Sequence, residues 1–259
     1  MIKNINIGID LGSRTAKIVV LNSNEIIHSN VMDTGVNPKV TSEKIFEQAL
    51  KDSSLKKTDI GKIYSTGYGR NIVPFADKVI SEISCHARGV NFLFPDARTI
   101  IDIGGQDSKV ILIGNNGKVS DFAMNDKCAA GTGKFLEVVA TTLETTVDEL
   151  GELSARSKEE FDINSTCVVF AESEIIGMIA QGKTPEDITR AVHHSIARRT
   201  KNLVSQLHWQ KPVVFTGGVA LNSGMQTALA DILKTDMIIP ENSFITGALG
   251  AALFALEGL

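Results

Sequence analysis

Cysteine is scarce in this 259-residue sequence, which has three: Cys85, Cys128 and Cys167. A low and odd number argues against a disulfide framework, because such frameworks use paired cysteines in small secreted domains. Considered by count alone, the three are most simply interpreted as reduced core residues, since a free thiol is often buried.

Features of exported, membrane-bound and nucleic-acid-binding proteins are also lacking. The segment Met1–Gly12 has neither the basic start nor the long apolar core of a signal peptide, and the apolar runs are too short to span a bilayer. The formal net charge is −4, without a long basic run, so a basic face for nucleic acid is not expected. These absences predict a cytoplasmic protein that binds neither membranes nor nucleic acid.

Two common nucleotide-binding motifs are absent as well. The pattern G-x-G-x-x-G does not follow a predicted strand, which argues against a Rossmann dinucleotide site. The stretch Gly131–Lys134 is not a Walker A loop, because Cys128 stands where its first glycine is required and Phe135 where serine or threonine is required. Any nucleotide site in this chain must therefore have another design.

The sequence does contain an internal repeat. The segment from Ile9 to Val20 aligns without gaps with the segment from Ile101 to Leu112, and each has an acid and a glycine between two apolar runs. The spacing is too large for a solenoid. The repeat and the length predict two related α/β lobes with a cleft between them, residues 1–95 and 96–259, and a C-terminal helix able to pack back on the first lobe.

Local patterns support two such lobes. The predicted strands are Ile5–Ile9, Ala16–Leu21, Glu25–Asn30, Thr99–Ile103, Lys109–Ile113, Val119–Ala123 and Val213–Phe215. The predicted helices are Ser42–Lys51, Lys134–Leu143, Pro185–Leu207, Ala220–Leu233 and Ser243–Leu256. The segment Asn115–Gly117 is a hairpin signal, and Thr184 is expected to cap the helix that Pro185 begins.

Each copy of the repeat turns at an acid and a glycine, a chemistry suited to phosphate and Mg²⁺. Glycine lets backbone amides approach an anion closely, and Mg²⁺ keeps several waters and takes few carboxylates. One such turn alone would be interpreted as a hairpin, but two matching turns followed by a later Gly-Gly predict an ATP site. Its candidate catalytic residues are Asp10, Asp102, Gln106 and Asp107.

The candidate nucleotide-binding residues lie in four glycine-containing stretches. Two are the repeated turns, the third opens a predicted helix and offers an anion-facing N-terminus, and the fourth could let a nucleoside lie flat against the backbone. These residues are Gly12, Ser13, Arg14, Thr15, Lys17, Gly104, Gly105, Gly131, Thr132, Gly133, Lys134, Gly217 and Gly218.

Cys128 and Cys167 each stand just before a predicted helix, where the macrodipole stabilises a thiolate or an anionic cluster. A 4Fe-4S cluster usually needs four cysteines, which a symmetric dimer would supply, but a zinc site across a dimer is also compatible with the spacing. Cys85 is assigned to packing. The adjacent His193 and His194 point to different faces, cannot share a metal, and are expected on a solvated face.

Three segments together resemble the 2-hydroxyacyl-CoA dehydratase activators, also called component A: Ile101–Lys109, Lys127–Gly133 and Val214–Ala220. These activators belong to the BadF/BadG/BcrA/BcrD-type ATPases of the actin, hexokinase and heat-shock ATPase superfamily. The resemblance spans nearly the whole chain. It implies a homodimer with one bridging 4Fe-4S cluster on Cys128 and Cys167, binding of ATP or ADP with Mg²⁺, flavodoxin or ferredoxin as reductant, and a transient complex with an iron–sulfur acyl-CoA dehydratase.

Other interpretations stay open at this point. The partner could be a benzoyl-CoA reductase-like enzyme, whose ATPase subunits share these segments. A sugar or acyl kinase of the same superfamily would keep the cysteines in its core and use Asp107 as catalytic base. If the chain is an activator, the purified protein should be brown and oxygen-sensitive, and if it is a kinase, the protein should be colourless. A third interpretation, a non-enzymatic iron–sulfur scaffold, leaves the phosphate turns unexplained.

Overall fold

The computed structural model describes residues 4–126, 128–163 and 168–259. They form two compact units that are interleaved along the chain. The first contains the residues up to Ala97, the segment Ile113–Ser120 and the segment Phe244–Leu259, and the second contains Arg98–Leu112 and Asp121–Ser243. The sequence-based division at residues 95 and 96 stays a prediction.

The first unit is built on a five-stranded sheet of order β3-β2-β1-β4-β5. Its strands are β1 (Ile5–Leu11), β2 (Thr15–Asn22), β3 (Glu25–Asp33), β4 (Ile60–Thr66) and β5 (Lys78–Val79). Every residue of β1 is buried, because apolar side chains cover both faces of the sheet. The strand β1 pairs antiparallel with β2 and parallel with β4.

The helices of the first unit are α1 (Pro38–Asp52), α2 (Glu82–Leu93) and α8 (Thr246–Glu257). Glycines let α8 pack directly on its neighbours: a Cβ at Gly8 of β1 would lie 1.9 Å from the carbonyl oxygen of Ala248. Cys85 of α2 is fully buried in a cluster with Ala251 and Ala255 of α8, which confirms its assignment to packing. Burial is the main reason that the pKa of its thiol rises to about 12.

The second unit repeats this design on a four-stranded sheet of order β8-β7-β6-β9. The strands are β6 (Thr99–Ile103), β7 (Ser108–Ile113), β8 (Val119–Asn125) and β9 (Val213–Thr216), and the helices are α3 (Gly133–Thr142), α4 (Leu150–Ala155), α5 (Val168–Ala180), α6 (Pro185–Val204) and α7 (Ser223–Leu233). Antiparallel β6 and β7 pair Asp102 with Lys109, as β1 and β2 pair Asp10 with Lys17. The internal repeat is therefore a repeat of strand pairing.

Thr184 caps α6 as expected, because its side chain accepts a hydrogen bond from the amide of Asp187. The expectation of a solvated face for the two histidines is wrong for His193, which is fully buried. The ring of His193 packs where α7 has Gly224, and a Cβ there would lie 2.3 Å from the ring. Within the described residues, none of the helices has the length and apolar character needed to cross a membrane.

Candidate functional site

The first repeated turn joins β1 to β2. The amide of Gly12 donates to the carbonyl of Thr15 at 3.0 Å, and a Cβ on Gly12 would lie 2.8 Å from that same oxygen. Thr34, just beyond β3, braces the turn by donating its hydroxyl to the Gly12 carbonyl at 2.8 Å and its amide to the Arg14 carbonyl at 2.9 Å. Ser13 and Arg14 stand at the tip, half-buried and exposed respectively.

The carboxylate of Asp10 lies at the base of this turn and is 3% exposed. Its Oδ2 atom is 3.2 Å from the ammonium of Lys17, whereas its buried Oδ1 atom has no hydrogen-bond partner among the described residues. Two glycines make room for it, since a Cβ at Gly67 would lie 2.2 Å from Oδ1 and one at Gly247 would lie 3.1 Å from Oδ2. A buried carboxylate oxygen without a donor is costly, so Asp10 is suited to accept from a water of hydrated Mg²⁺.

The second turn joins β6 to β7 with the same backbone closure. The amide of Gly104 donates to the carbonyl of Asp107 at 2.9 Å. Asp102 is 2% exposed, and its Oδ1 atom accepts from the hydroxyl of Thr216 on β9 at 2.9 Å. Gln106 at the tip is exposed. The buried ammonium of Lys109 lies close to both acids, 2.8 Å from Asp107 and 3.5 Å from Asp102.

The start of α3 braces this second turn. The amides of Gly133 and Lys134 donate to the carbonyls of Gly104 and Gly105, each at 2.9 Å, and the hydroxyl of Thr132 also donates to Gly105, at 3.1 Å. These two helix amides therefore bond to the turn and do not stand open to an anion. A direct role of Gly131, Thr132, Gly133 and Lys134 in nucleotide binding stays a prediction.

The late glycine pair follows β9. Gly217 has a φ of +87°, and a Cβ there would lie 2.2 Å from the carbonyl oxygen of Ile103. Ser243 holds Gly217 with two hydrogen bonds. The Gly217 amide donates to the Ser243 carbonyl at 3.1 Å, and the Ser243 hydroxyl donates to the Gly217 carbonyl at 3.1 Å. Gly218 is exposed, with open space where a side chain would project. This rigid backbone with one uncovered glycine can support a flat ligand.

Cys128 is half-buried and packs against the core of the second unit. A single 3₁₀ turn, Ala129–Gly131, separates it from α3, so it does not directly precede that helix as expected. The side chain of Asn125 holds its backbone: Oδ1 accepts from the Cys128 amide at 3.1 Å and Nδ2 donates to the Cys128 carbonyl at 2.9 Å. Cys167 lies outside the described residues.

Sequence analysis did not single out Asn125, Lys109 or Thr216. For Asn125 a local signal exists, because asparagine often bonds the backbone a few residues along the chain. Lys109 is visible in the repeat only as the counterpart of Lys17. The contact between Thr216 and Asp102 joins residues far apart in the chain and depends on the parallel pairing of β6 with β9.

Two known proteins are similar to this chain over nearly its whole length. The chain is 49% identical to an activator of lactoyl-CoA dehydratase from Anaerotignum propionicum over 252 residues, 97% of each protein. It is 48% identical to a 2-hydroxyisocaproyl-CoA dehydratase activator from Clostridioides difficile over 251 residues, 96% of this chain and 94% of the relative.

A solved structure has the same fold. The activator of the 2-hydroxyisocaproyl-CoA dehydratase from Clostridium difficile with bound ADPNP matches with a TM-score of 0.93 and 46% identity, covering 98% of this chain and 95% of that one. The two sheets and this likeness give the chain the mixed α/β fold of actin- and hexokinase-type ATPases. The model of the BadF/BadG/BcrA/BcrD ATPase family matches residues 7–255, and the chain belongs to that family.

Proposed function

We propose that this chain is an ATP-hydrolysing activator that passes a low-potential electron to a 2-hydroxyacyl-CoA dehydratase. The names of the two relatives, which match nearly the whole chain, support the activator role. The observation that carries the nucleotide site is the buried Oδ1 atom of Asp10, which has no partner among the described residues and lies in a cradle of glycines.

The phosphates and Mg²⁺ of ATP are the ligands of the two repeated turns. Gly12, Ser13, Arg14, Thr15 and Lys17 form the first turn and Gly104, Gly105, Gln106 and Asp107 the second, with backbone amides and small polar side chains as donors. Asp10 orients a water of the hydrated cation, and Asp102 fixes the base of the second turn. Gly217 and Gly218 support the nucleoside. Bound Mg²⁺ supplies positive charge that offsets the charge developing on the phosphoryl oxygens.

Cys128 and Cys167 are the proposed cluster ligands, with two copies of the chain supplying four thiolates. A half-buried thiol on a backbone clamped at both its amide and its carbonyl suits a fixed metal ligand. The 4Fe-4S cluster, when bound, accepts and donates one electron. A flavodoxin or ferredoxin serves as its reductant, and the iron–sulfur component of the dehydratase takes the electron.

The test is anaerobic purification of the protein followed by iron analysis, a visible spectrum and a size measurement. We expect a brown dimer with about four irons per two chains. We also expect that the protein hydrolyses ATP and that activation of a dehydratase component depends on this hydrolysis. A colourless monomer that phosphorylates a sugar or a carboxylic acid would contradict the proposal and support the kinase.

A further inference from the structure

Lys109 is a charged side chain in an almost completely buried position, with 1% of its side chain exposed. A buried ammonium is tolerated when anions compensate its charge. Two carboxylates do so here, since its Nζ atom is 2.8 Å from Asp107 Oδ2 and 3.5 Å from Asp102 Oδ2. The other oxygen of Asp102 accepts from Thr216.

The first turn has the same strand register but a different charge balance. Lys17 is the counterpart of Lys109, its side chain is 15% exposed, and it lies 3.2 Å from Asp10. Thr15 occupies the position that Asp107 has in the second turn. The pair Asp10 and Lys17 is neutral, whereas Asp102, Asp107 and Lys109 together carry one net negative charge.

Two carboxylates that reach one point form the usual core of a divalent-cation site. In the second turn, that point is taken by the ammonium of Lys109. In the first turn, Asp10 keeps a buried oxygen without a partner among the described residues. The two acids at the base of the repeated turns therefore differ in what they can still bind.

We propose that Lys109 is a built-in cation of the second turn, which keeps divalent metal away from Asp102 and positions Asp107. This inference rests on the proposed ATP site, and it assigns the metal to the Asp10 turn. Asp107 is the more accessible of the two acids, with 25% of its side chain exposed. Gly104 leaves space for it, because a Cβ there would lie 2.8 Å from Asp107 Oδ1.

Held in this way, Asp107 keeps its Oδ1 atom beside the backbone of Gly104, on a side chain that is 25% exposed. A carboxylate there can accept a hydrogen bond from the water that attacks the terminal phosphate. Lys109 is then a positioning residue, since it acts on the reaction through Asp107. Loss of Lys109 should lower kcat for ATP hydrolysis by about tenfold or more and change KM much less.

The decisive measurement uses the full-length protein without nucleotide and Mn²⁺ as the probe, with free Mn²⁺ followed by electron paramagnetic resonance. We expect Lys109→Met to bind one additional Mn²⁺ per chain, about tenfold or more tighter than any wild-type site. The matched control is the double variant Lys109→Met with Asp107→Asn, which should not bind the additional Mn²⁺ because one carboxylate is gone. Lys109→Arg should not bind it either, because the positive charge is kept. A Lys109→Met protein that binds Mn²⁺ no better than wild type overturns the inference.

If Lys109→Met does not fold alone, Mn²⁺ should restore its folded circular-dichroism spectrum, because binding to the folded state stabilises it. Failure of this rescue also overturns the inference. The Mn²⁺ titrations need no ATP, so failure of the proposed function is seen separately, as a wild-type protein that neither binds nor hydrolyses ATP.

Discussion

The side-chain carboxamide of Asn125 makes two hydrogen bonds to the backbone of Cys128: it accepts from the Cys128 amide and donates to the Cys128 carbonyl. Asparagine can do this because it has an acceptor and a donor on one planar group. The pair fixes the backbone from which the half-buried thiol projects.

The Asn125→Ala protein should therefore have a more reactive Cys128. Loss of two hydrogen bonds should lower stability by about 1–2 kcal/mol and free the loop at the end of β8. The check is the rate at which iodoacetamide alkylates Cys128 in the metal-free protein, with buried Cys85 as internal reference. Equal alkylation rates in Asn125→Ala and wild type would show that the pair does not control the thiol.

Replacement of each cysteine by serine separates ligands from core residues. Cys128→Ser and Cys167→Ser should abolish iron-dependent absorbance, because serine gives a cluster no thiolate. Cys85→Ser should retain it, since the Cys85 thiol is buried and its pKa is raised to about 12. Cluster loss in Cys85→Ser with retention in both other variants would overturn the ligand assignment.

Asp10→Asn should lower the rate of ATP hydrolysis by about a hundredfold. The amide keeps the shape of the side chain but removes the negative charge next to the cation, and it also removes the partner of Lys17. Asp102→Asn should reduce hydrolysis as well. Asp148→Asn, at an exposed position, is the matched control and should hydrolyse ATP as fast as wild type.

Gly217 and Gly218 should respond differently to alanine. Gly217→Ala should destabilise the protein by about 2–3 kcal/mol, because its φ is positive and its Cβ would meet the Ile103 carbonyl. Gly218→Ala should change stability by less than about 0.5 kcal/mol and should weaken ATP binding. Denaturant unfolding and equilibrium ATP binding measure the two effects, and normal ATP affinity in Gly218→Ala would contradict the nucleoside assignment.

His193 makes folding sensitive to acid. Burial, with a smaller contribution from His194, lowers the pKa of His193 to about 3, whereas an unfolded chain gives histidine about 6.5. Between these values the unfolded state binds the extra proton, so stability falls as the pH drops from about 6.5 toward about 3. The loss is absent above about pH 6.5, where both states are neutral.

His193→Leu should reduce the slope of the unfolding free energy against pH, because one fewer proton is then taken up on unfolding. Urea unfolding measured from pH 7 to pH 4 gives this slope. The variant should be folded at pH 7, because neither ring nitrogen of His193 has a hydrogen-bond partner among the described residues. His194→Leu, at a half-buried position, should change the slope less. Identical slopes in His193→Leu and wild type would exclude His193 as the source.

Prediction from the sequence worked best where a particular residue type is required by a particular backbone conformation. The acid and glycine pattern predicted both turns, and Thr184 and Pro185 predicted the start of α6. Sequence analysis did not predict β4, which contains Gly61 and Lys62 at exposed positions and is held by parallel pairing with β1. Such long-range pairing leaves a weak local signal.

Side-chain environments were harder to predict than elements for the same reason. The burial of His193 depends on Gly224 in another helix. The approach of Lys109 to Asp102 depends on the antiparallel pairing of β6 with β7, which only the folded chain forms. In both cases a partner outside the local pattern decides what the residue does.

The interleaving of the two units sets an order for folding during synthesis. All residues of the second unit precede Phe244 in the chain, so the ribosome completes that unit first. The sheet of the first unit is made earlier, but the face with Val19 and Leu21 lacks the α8 side chains that pack on it until α8 emerges. A nascent chain that stalls before α8 would thus expose an apolar sheet, the surface that chaperones bind and that aggregates form from.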